Sequence, residues 1–205
     1  MPLYQYSPLE SESSIRLIRL KPGCGAEEIT CELEHVSLDE CPRYQALSYT
    51  WDIDGTIGSP RHFEINCGKS QIFVTENLFS ALHYIRTTTH ELTLWVDAVS
   101  INQSENLERG QQVRIMHRIY AAASSVVVWL GAPEGEDGAA FNLIQGIQSF
   151  DRTLNYSRST DLSVGINEAI EGNILPPLDS APWKALASLF DKRYFYRVWV
   201  LQERS

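Results

Sequence analysis

The sequence predicts an α/β fold: a mostly parallel central sheet flanked by helices, with a β-hairpin added on the N-terminal side. Three observations carry this. Residues 92–131 read as strand, polar loop, amphipathic helix and strand, which is one βαβ crossover. A helical pattern over 76–87 stands between two apolar strand-like runs, 44–51 and 92–98. Two further strands, near 15–20 and 29–36, flank the turn-forming stretch Lys21-Pro-Gly-Cys-Gly25.

Taken in order, Ile29, Cys31 and Leu33 alternate with Thr30, Glu32 and Glu34, giving a strand with one apolar face. Tyr44–Trp51 is short and mostly apolar, as in a buried strand, and a loop follows to Pro60. Phe63–Cys67 and Gln71–Val74 predict a hairpin turning at Gly68-Lys69. Thr75 is placed to cap a helix carrying Leu78, Phe79, Leu82 and Ile85 at helical spacing. From 105 to 123, Val113, Met116, Tyr120 and Ala123 define a helix face. Val126–Leu130 is apolar throughout, the pattern of a strand covered on both sides. Met116, Tyr120 and Trp129 read as core. A helix over 139–150 would turn Phe141, Ile144 and Ile147 inward. Residues 151–180 read as an insertion with a short helix near 164–171. Ser180 caps a helix with Pro182 in its first turn and Trp183, Leu186, Leu189 and Phe190 on its apolar side. A last helix starts near Tyr194 and is still running at Glu203, which predicts a longer parent chain.

The whole is expected to be a single domain, 1–205. It divides into a β-rich addition (1–43), a core (44–131), a variable insertion (132–182) and closing helices (183–205). Its length of 205 residues and 43% apolar content suffice for a sizeable core. The net charge of −9 without a long basic run argues against nucleic acid as a main partner. A local basic pocket for a small anion stays open. Cys24, Cys31, Cys41 and Cys67 form no C-x-x-C pair and the histidines no H-E-x-x-H, so no metal is expected. Reduced thiols, no leader pattern and no apolar run of about 20 residues predict a cytoplasmic protein that does not enter a membrane. No G-x-G-x-x-G or Walker-type loop is present, which disfavours a dehydrogenase or a P-loop NTPase.

In open α/β sheets, ligands bind at the carboxyl ends of strands. That directs attention to Asp97–Gln112. Asp97 closes a strand and can bind a ligand or fix its own loop. Asn102 and Gln103 can hydrogen-bond adenine, ribose or an amide, or tie down backbone. Glu108 lies in a first helical turn, where the dipole favours it in any case. Arg109 can grip a phosphate or pair with Glu105 or Asp97. Gln112 is one turn beyond Glu108. In the preceding strand, Tyr49 and Trp51 alternate with Leu47 and Thr50, one set facing the pocket mouth and the other the core. Ser48 has no acid–base partner nearby in sequence, so a serine hydrolase is disfavoured.

Three blocks resemble the fungal heterokaryon-incompatibility (HET) domain. Tyr44-Gln-Ala-Leu-Ser-Tyr-Thr-Trp51 resembles its opening Y-x-A-L-S-Y-x-W. Trp95-Val-Asp-Ala-Val-Ser-Ile-Asn-Gln103, with Glu108-Arg109, Gln112-Val113, Met116, Ile119-Tyr120, Ala123 and Val128-Trp-Leu-Gly131, resembles its central signature. Arg197-Val-Trp199-Val-Leu-Gln-Glu203 resembles its closing R-x-W-x-x-Q-E. Two positions depart from the pattern: Asp52 replaces a usual Gly, and Ser100 a usual Cys.

The resemblance implies a module of regulated cell death on non-self recognition. The domain is in turn remotely similar to TIR domains, many of which cleave NAD, and this implies a flavodoxin/TIR-like sheet. Ala46–Tyr49 is similar to the first TIR strand, Trp95–Asp97 to the second, and Glu108-Arg109-Gly110 to the acidic turn before its helix. Trp199-x-x-x-Glu203 is similar to the motif carrying the TIR catalytic glutamate. On a helix, Trp199 and Glu203 share one face, one turn apart. An indole beside a carboxylate suits the ribosyl cation formed when the nicotinamide–ribose bond breaks. Alternatively, Trp199 is core and Glu203 makes a surface contact.

The implied reaction is NAD cleavage with Glu203 catalytic. Trp199, Asp97, Asn102, Gln103, Glu108, Arg109, Gln112, Tyr49 and Trp51 would form the substrate site. NAD is then a substrate and no prosthetic group is expected. Self-association would complete the site, and other modules of a longer chain are expected partners. The rival reading is a non-enzymatic oligomerisation module. A nucleosidase or transferase acting on another nucleotide also stays open.

Overall fold

A computed structural model describes residues 1–51, 63–153, 166, 169–172 and 174–196. The described residues fall into two compact units, one within 1–132 and a second within 133–195. The first unit holds a seven-stranded mixed sheet. Its strands are β1 (Ser14–Leu20), β2 (Thr30–Ser37), β3 (Gln45–Tyr49), β4 (Phe63–Cys67), β5 (Ser70–Val74), β6 (Leu92–Trp95) and β7 (Ser125–Trp129). They lie in the order β5-β4-β2-β1-β6-β3-β7. β6, β3 and β7 run parallel, as do β2 and β4, while β1 is antiparallel to both its neighbours. The α/β class and the central sheet stand as the sequence predicts. The N-terminal hairpin β1–β2 is built into the middle of that sheet, where it joins the β4–β5 hairpin to the parallel strands.

Alternation along the strands supplies two cores, one on each face. On one face, Ile18, Leu20, Leu47, Tyr49, Leu94 and Val96 pack with Leu78, Ala81 and Leu82 of helix α1 (Glu76–Ile85). Thr75 caps that helix, its hydroxyl accepting from Leu78 N–H at 3.4 Å. On the other face, Ile15, Leu17, Tyr44, Ala46 and Trp95 pack with Ile119 and Tyr120 of helix α3 (Asn106–Ala122). Between β6 and α3 lies a single helical turn, α2 (Asp97–Ser100). The hairpin turn falls at Gly68, whose φ of +59° is left-handed and suits glycine.

Three readings of orientation need correction. Val113 faces outward from α3, 40% exposed, and the inward stripe instead begins with Glu108 and Gln112. Polar residues therefore occupy the first inward turns, which an apolar pattern cannot report. β7 is an edge strand, with Val126 and Val128 exposed, so its apolar run does not signal cover on both faces. Leu47, Tyr49 and Trp51 line one and the same face, as the strand period of two requires.

In the second unit, helix α4 (Asp137–Thr153) turns Ala140 and Leu143 inward and leaves Phe141 exposed. The 3.6-residue period selects 140, 143 and 147 over a strict three-residue spacing. Helix α5 (Ala181–Phe190) buries Ala185 and Leu189, with Trp183 and Leu186 partly buried. Phe190 is exposed, against expectation, and meets Phe195 with ring centroids 5.0 Å apart. Residues 166 and 169–171 are helical. Near Tyr194 the chain forms a 3-10 turn, Arg193–Tyr196. The expected final helix otherwise lies outside the described residues, as do Trp199 and Glu203.

Candidate functional site

The carboxyl ends of β6, β3 and β7 lie side by side because the three strands are parallel. Each ends in polar or aromatic residues, and side chains stitch these ends together. At the end of β6, Asp97 opens α2. Its Oδ1 accepts from Ala98 N–H at 2.7 Å, a capping bond to the first turn. Its Oδ2 accepts from Trp51 Nε1–H at 2.8 Å, just beyond the end of β3. The carboxylate thus joins two strand ends and stays only partly buried.

The second stitch is Asn77, which the sequence reading did not single out. Its amide nitrogen donates to Thr50 O at 2.6 Å and to Thr50 Oγ1 at 3.0 Å. Its Oδ1 accepts from Trp129 Nε1–H at 2.8 Å. One buried amide on α1 thereby bonds the ends of β3 and β7. The available signal was a polar residue in the first turn of a helix otherwise turning Leu78, Ala81 and Leu82 inward.

The loop after α2 is fixed from within. Gln103 Nε2 donates to Asp97 O at 2.9 Å, so Gln103 braces the turn that carries the carboxylate. Asn102 Oδ1 accepts from Ser104 N–H at 3.2 Å, a local turn. Both side chains are half-buried. Arg109 is exposed and pairs with neither Glu105 nor Asp97. It donates to Asn106 Oδ1 at 2.8 Å and, at 3.4 Å, to Gln103 O. Glu105 instead caps α3 through Leu107 N–H at 3.1 Å.

Glu108 and Gln112 point into the protein. Arg16 donates to both oxygens of Glu108, at 2.6 Å and 2.9 Å, and Asn102 N–H adds a third bond at 2.7 Å. Burial raises the pKa of Glu108, but these bonds outweigh it and hold the group below the usual carboxylate range. The Arg16 side chain is itself fully buried. It also reaches Ser100 O, Ser7 O and His35 Nε2, and lies 5.0 Å over the Tyr6 ring. Burial first, and then the Arg16 charge, lowers the pKa of His35. Gln112 donates to Ser14 O at 3.0 Å. Glu108 and Gln112 thus fasten α3 and its loop to β1. Arg16 was missed by the sequence reading; its flag was a cation between Ile15 and Leu17 on an apolar strand.

Of the ten candidate residues, then, Trp51 and Asp97 are bonded to each other, with Gln103 bracing them. Tyr49 is buried on the same strand face as Trp51, and Asn102 sits on the adjoining turn.

The profile of the family described as "Heterokaryon incompatibility protein (HET)" matches residues 44–203. The chain belongs to the HET family. The match takes in β3, the Trp51–Asp97 joint, Asn77 and the whole Asp97–Gln112 connection. This HET chain is also 29% identical to "Heterokaryon incompatibility protein 6, OR allele" of Neurospora crassa over 217 residues. The aligned region covers 95% of this chain and 32% of that relative, so the chain spans about a third of the relative's length. No solved structure gives a significant match to this HET chain. Among its described residues, no helix is long and apolar enough to cross a membrane.

Proposed function

We propose that this HET module is an effector of incompatibility-type cell death that cleaves NAD at the nicotinamide–ribose bond. The observation that carries the reading is the Trp51–Asp97 joint: a part-exposed carboxylate and an indole at the carboxyl ends of parallel strands. Among those strands the order is second, first, third (β6-β3-β7), which puts the switch point between β3 and β7, at the end of the strand that Trp51 follows. Ligands of open α/β sheets bind at such a point. The closing Trp199-x-x-x-Glu203, within the family match, supplies the carboxylate assigned to the ribosyl cation.

In this reading the glycosidic C–N bond breaks and nicotinamide leaves as a neutral molecule, taking the bonding electron pair. Positive charge develops on the ribose, and a fixed carboxylate, Glu203, stabilises it. Water then adds to the anomeric carbon and releases a proton. Asp97 orients the ribose hydroxyls or the amide of the substrate, beside the Trp51 ring. Arg109 is exposed near the same turn and suits the pyrophosphate. Self-association completes the site.

The test is nicotinamide release from NAD by the full-length protein at several concentrations, beside Glu203→Gln. Release that rises more steeply than protein concentration and vanishes in the variant is expected. An assembled wild-type protein that releases none would overturn the reading.

One observation favours the rival, a non-enzymatic assembly module. Glu108 and Gln112, both candidate site residues, are committed to the frame. On that reading the remaining blocks also hold the fold, Glu203 is an interface residue, and Glu203→Gln does not abolish cell killing without abolishing assembly.

A further inference from the structure

Cys31 and Cys67 face each other across neighbouring parallel strands, β2 and β4, as direct register partners. Both are buried and belong to the same core. Partners in register put their side chains on the same face, and neighbouring strands lie about 4.8 Å apart. That separation is within the range a disulfide spans between Cα atoms.

The joint they occupy is slender. β4 pairs with β2 at two positions only, Thr30↔Asn66 and Cys31↔Cys67. Backbone bonds from Asn66 N–H to Ile29 O (2.9 Å) and from Gly68 N–H to Cys31 O (3.0 Å) accompany them. Through this joint the β4–β5 hairpin is attached to the rest of the sheet. Tyr4, only partly buried, packs against the core cluster that holds both thiols. Its strand segment is held to β5 by two backbone bonds, Tyr4 N–H to Gln71 O and Gln71 N–H to Pro2 O. A small oxidant reaches the pair only if this segment opens locally.

We propose that Cys31 and Cys67 are an oxidation site, converted by a hydroperoxide-class oxidant into a cross-strand disulfide that clamps the β4–β5 hairpin to the sheet. The neighbouring Cys67 sulfur and burial push the Cys31 thiol up. The Cys31 neighbour holds Cys67 below its ordinary value, which favours its thiolate. The Cys67 thiolate attacks one peroxide oxygen, the O–O bond breaks, and the departing oxygen leaves as water or alcohol after protonation. A sulfenic acid remains on Cys67. The Cys31 sulfur then attacks the Cys67 sulfur, the S–O bond breaks, and water leaves with the Cys31 proton. The two sulfurs lose two electrons to the peroxide. This proposal does not depend on NAD cleavage.

The test uses a variant with Cys24→Ser and Cys41→Ser, both at exposed positions, so that only the buried pair remains. The native protein is treated with hydrogen peroxide, blocked with an alkylating agent under denaturing conditions, and mapped by mass spectrometry. The expected result is a Cys31–Cys67 linked peptide, two hydrogens lighter than the reduced pair and reversed by dithiothreitol. Oxidised protein should also melt several degrees higher and exchange amide hydrogens of 63–74 more slowly. Two alkylated thiols after treatment, sulfinic acid without a linked peptide, or a disulfide forming only in urea would each overturn the proposal.

Discussion

Asp97 and Glu108 stand on the same connection between β6 and β7, yet their surroundings differ in kind. Glu108 is buried, and a fully buried guanidinium grips both its oxygens while a backbone N–H takes a third bond. Asp97 is half-buried and accepts from an indole and from its own helical turn. One carboxylate closes a charge pair inside the protein, and the other marks the place where strand ends meet solvent. Two acidic residues of one motif therefore serve different ends: Glu108 fixes the connection to β1, and Asp97 is presented by the connection so fixed.

If this contrast is right, substitution should separate the two. The largest effect belongs to the inner clamp. Glu108→Ala leaves the Arg16 charge buried without its partner and should cost about 3–5 kcal/mol in denaturant unfolding. Replacing both, as Arg16→Met with Glu108→Leu, should recover most of that loss, because an apolar pair removes the desolvation penalty. A double variant no more stable than the single one would break the account of the clamp.

Acid probes the same clamp without mutation. Glu108 has a depressed pKa in the folded protein, so its contribution is present above its ordinary value of 4.5 and is lost as pH falls through the folded value. His35 is a base whose folded pKa is also depressed, so the native state binds fewer protons. Its contribution is present above 6.5 and is lost as pH falls through its own folded value. Stability should thus decline in two stages on acidification, and His35→Gln should remove the upper one. Thermal melts at a series of pH values check this.

Next in size is Asn77→Ala, which leaves the buried Trp129 N–H unsatisfied and should cost about 1–3 kcal/mol. Trp51→Phe removes one donor at a half-exposed site and should cost about 1 kcal/mol. Least of all, Val128→Thr on the exposed face of β7 should change stability by no more than about 0.5 kcal/mol. A much larger loss would mean that this face is covered.

How far these regions were legible in the sequence follows from the same physics. Strands with one apolar face and the Thr75 cap report themselves locally, through alternation and a side chain matched to a helix start. The site at the end of β6 was legible as a position, because strand–loop–helix order fixes where Asp97 falls. What α3 buries was not, since its inward turns carry Glu108 and Gln112, whose partners Arg16 and Ser14 come from a distant strand. Long-range polar pairing has no period. Likewise, nothing local to β1 tells that it sits inside the sheet between β2 and β6. The edge position of β7 was hidden because an apolar run fits a covered strand and an exposed one equally well.

The most direct measurement is nicotinamide release from NAD by the full-length protein carrying Asp97→Asn, beside wild type, with both shown to be folded by their melting temperatures. The account predicts active wild-type protein, a variant that melts within a few degrees of it, and release reduced at least about tenfold, as expected for loss of hydrogen bonds to a charged group. Release by the folded variant at the wild-type rate would contradict it and leave Asp97 a structural residue, like Glu108.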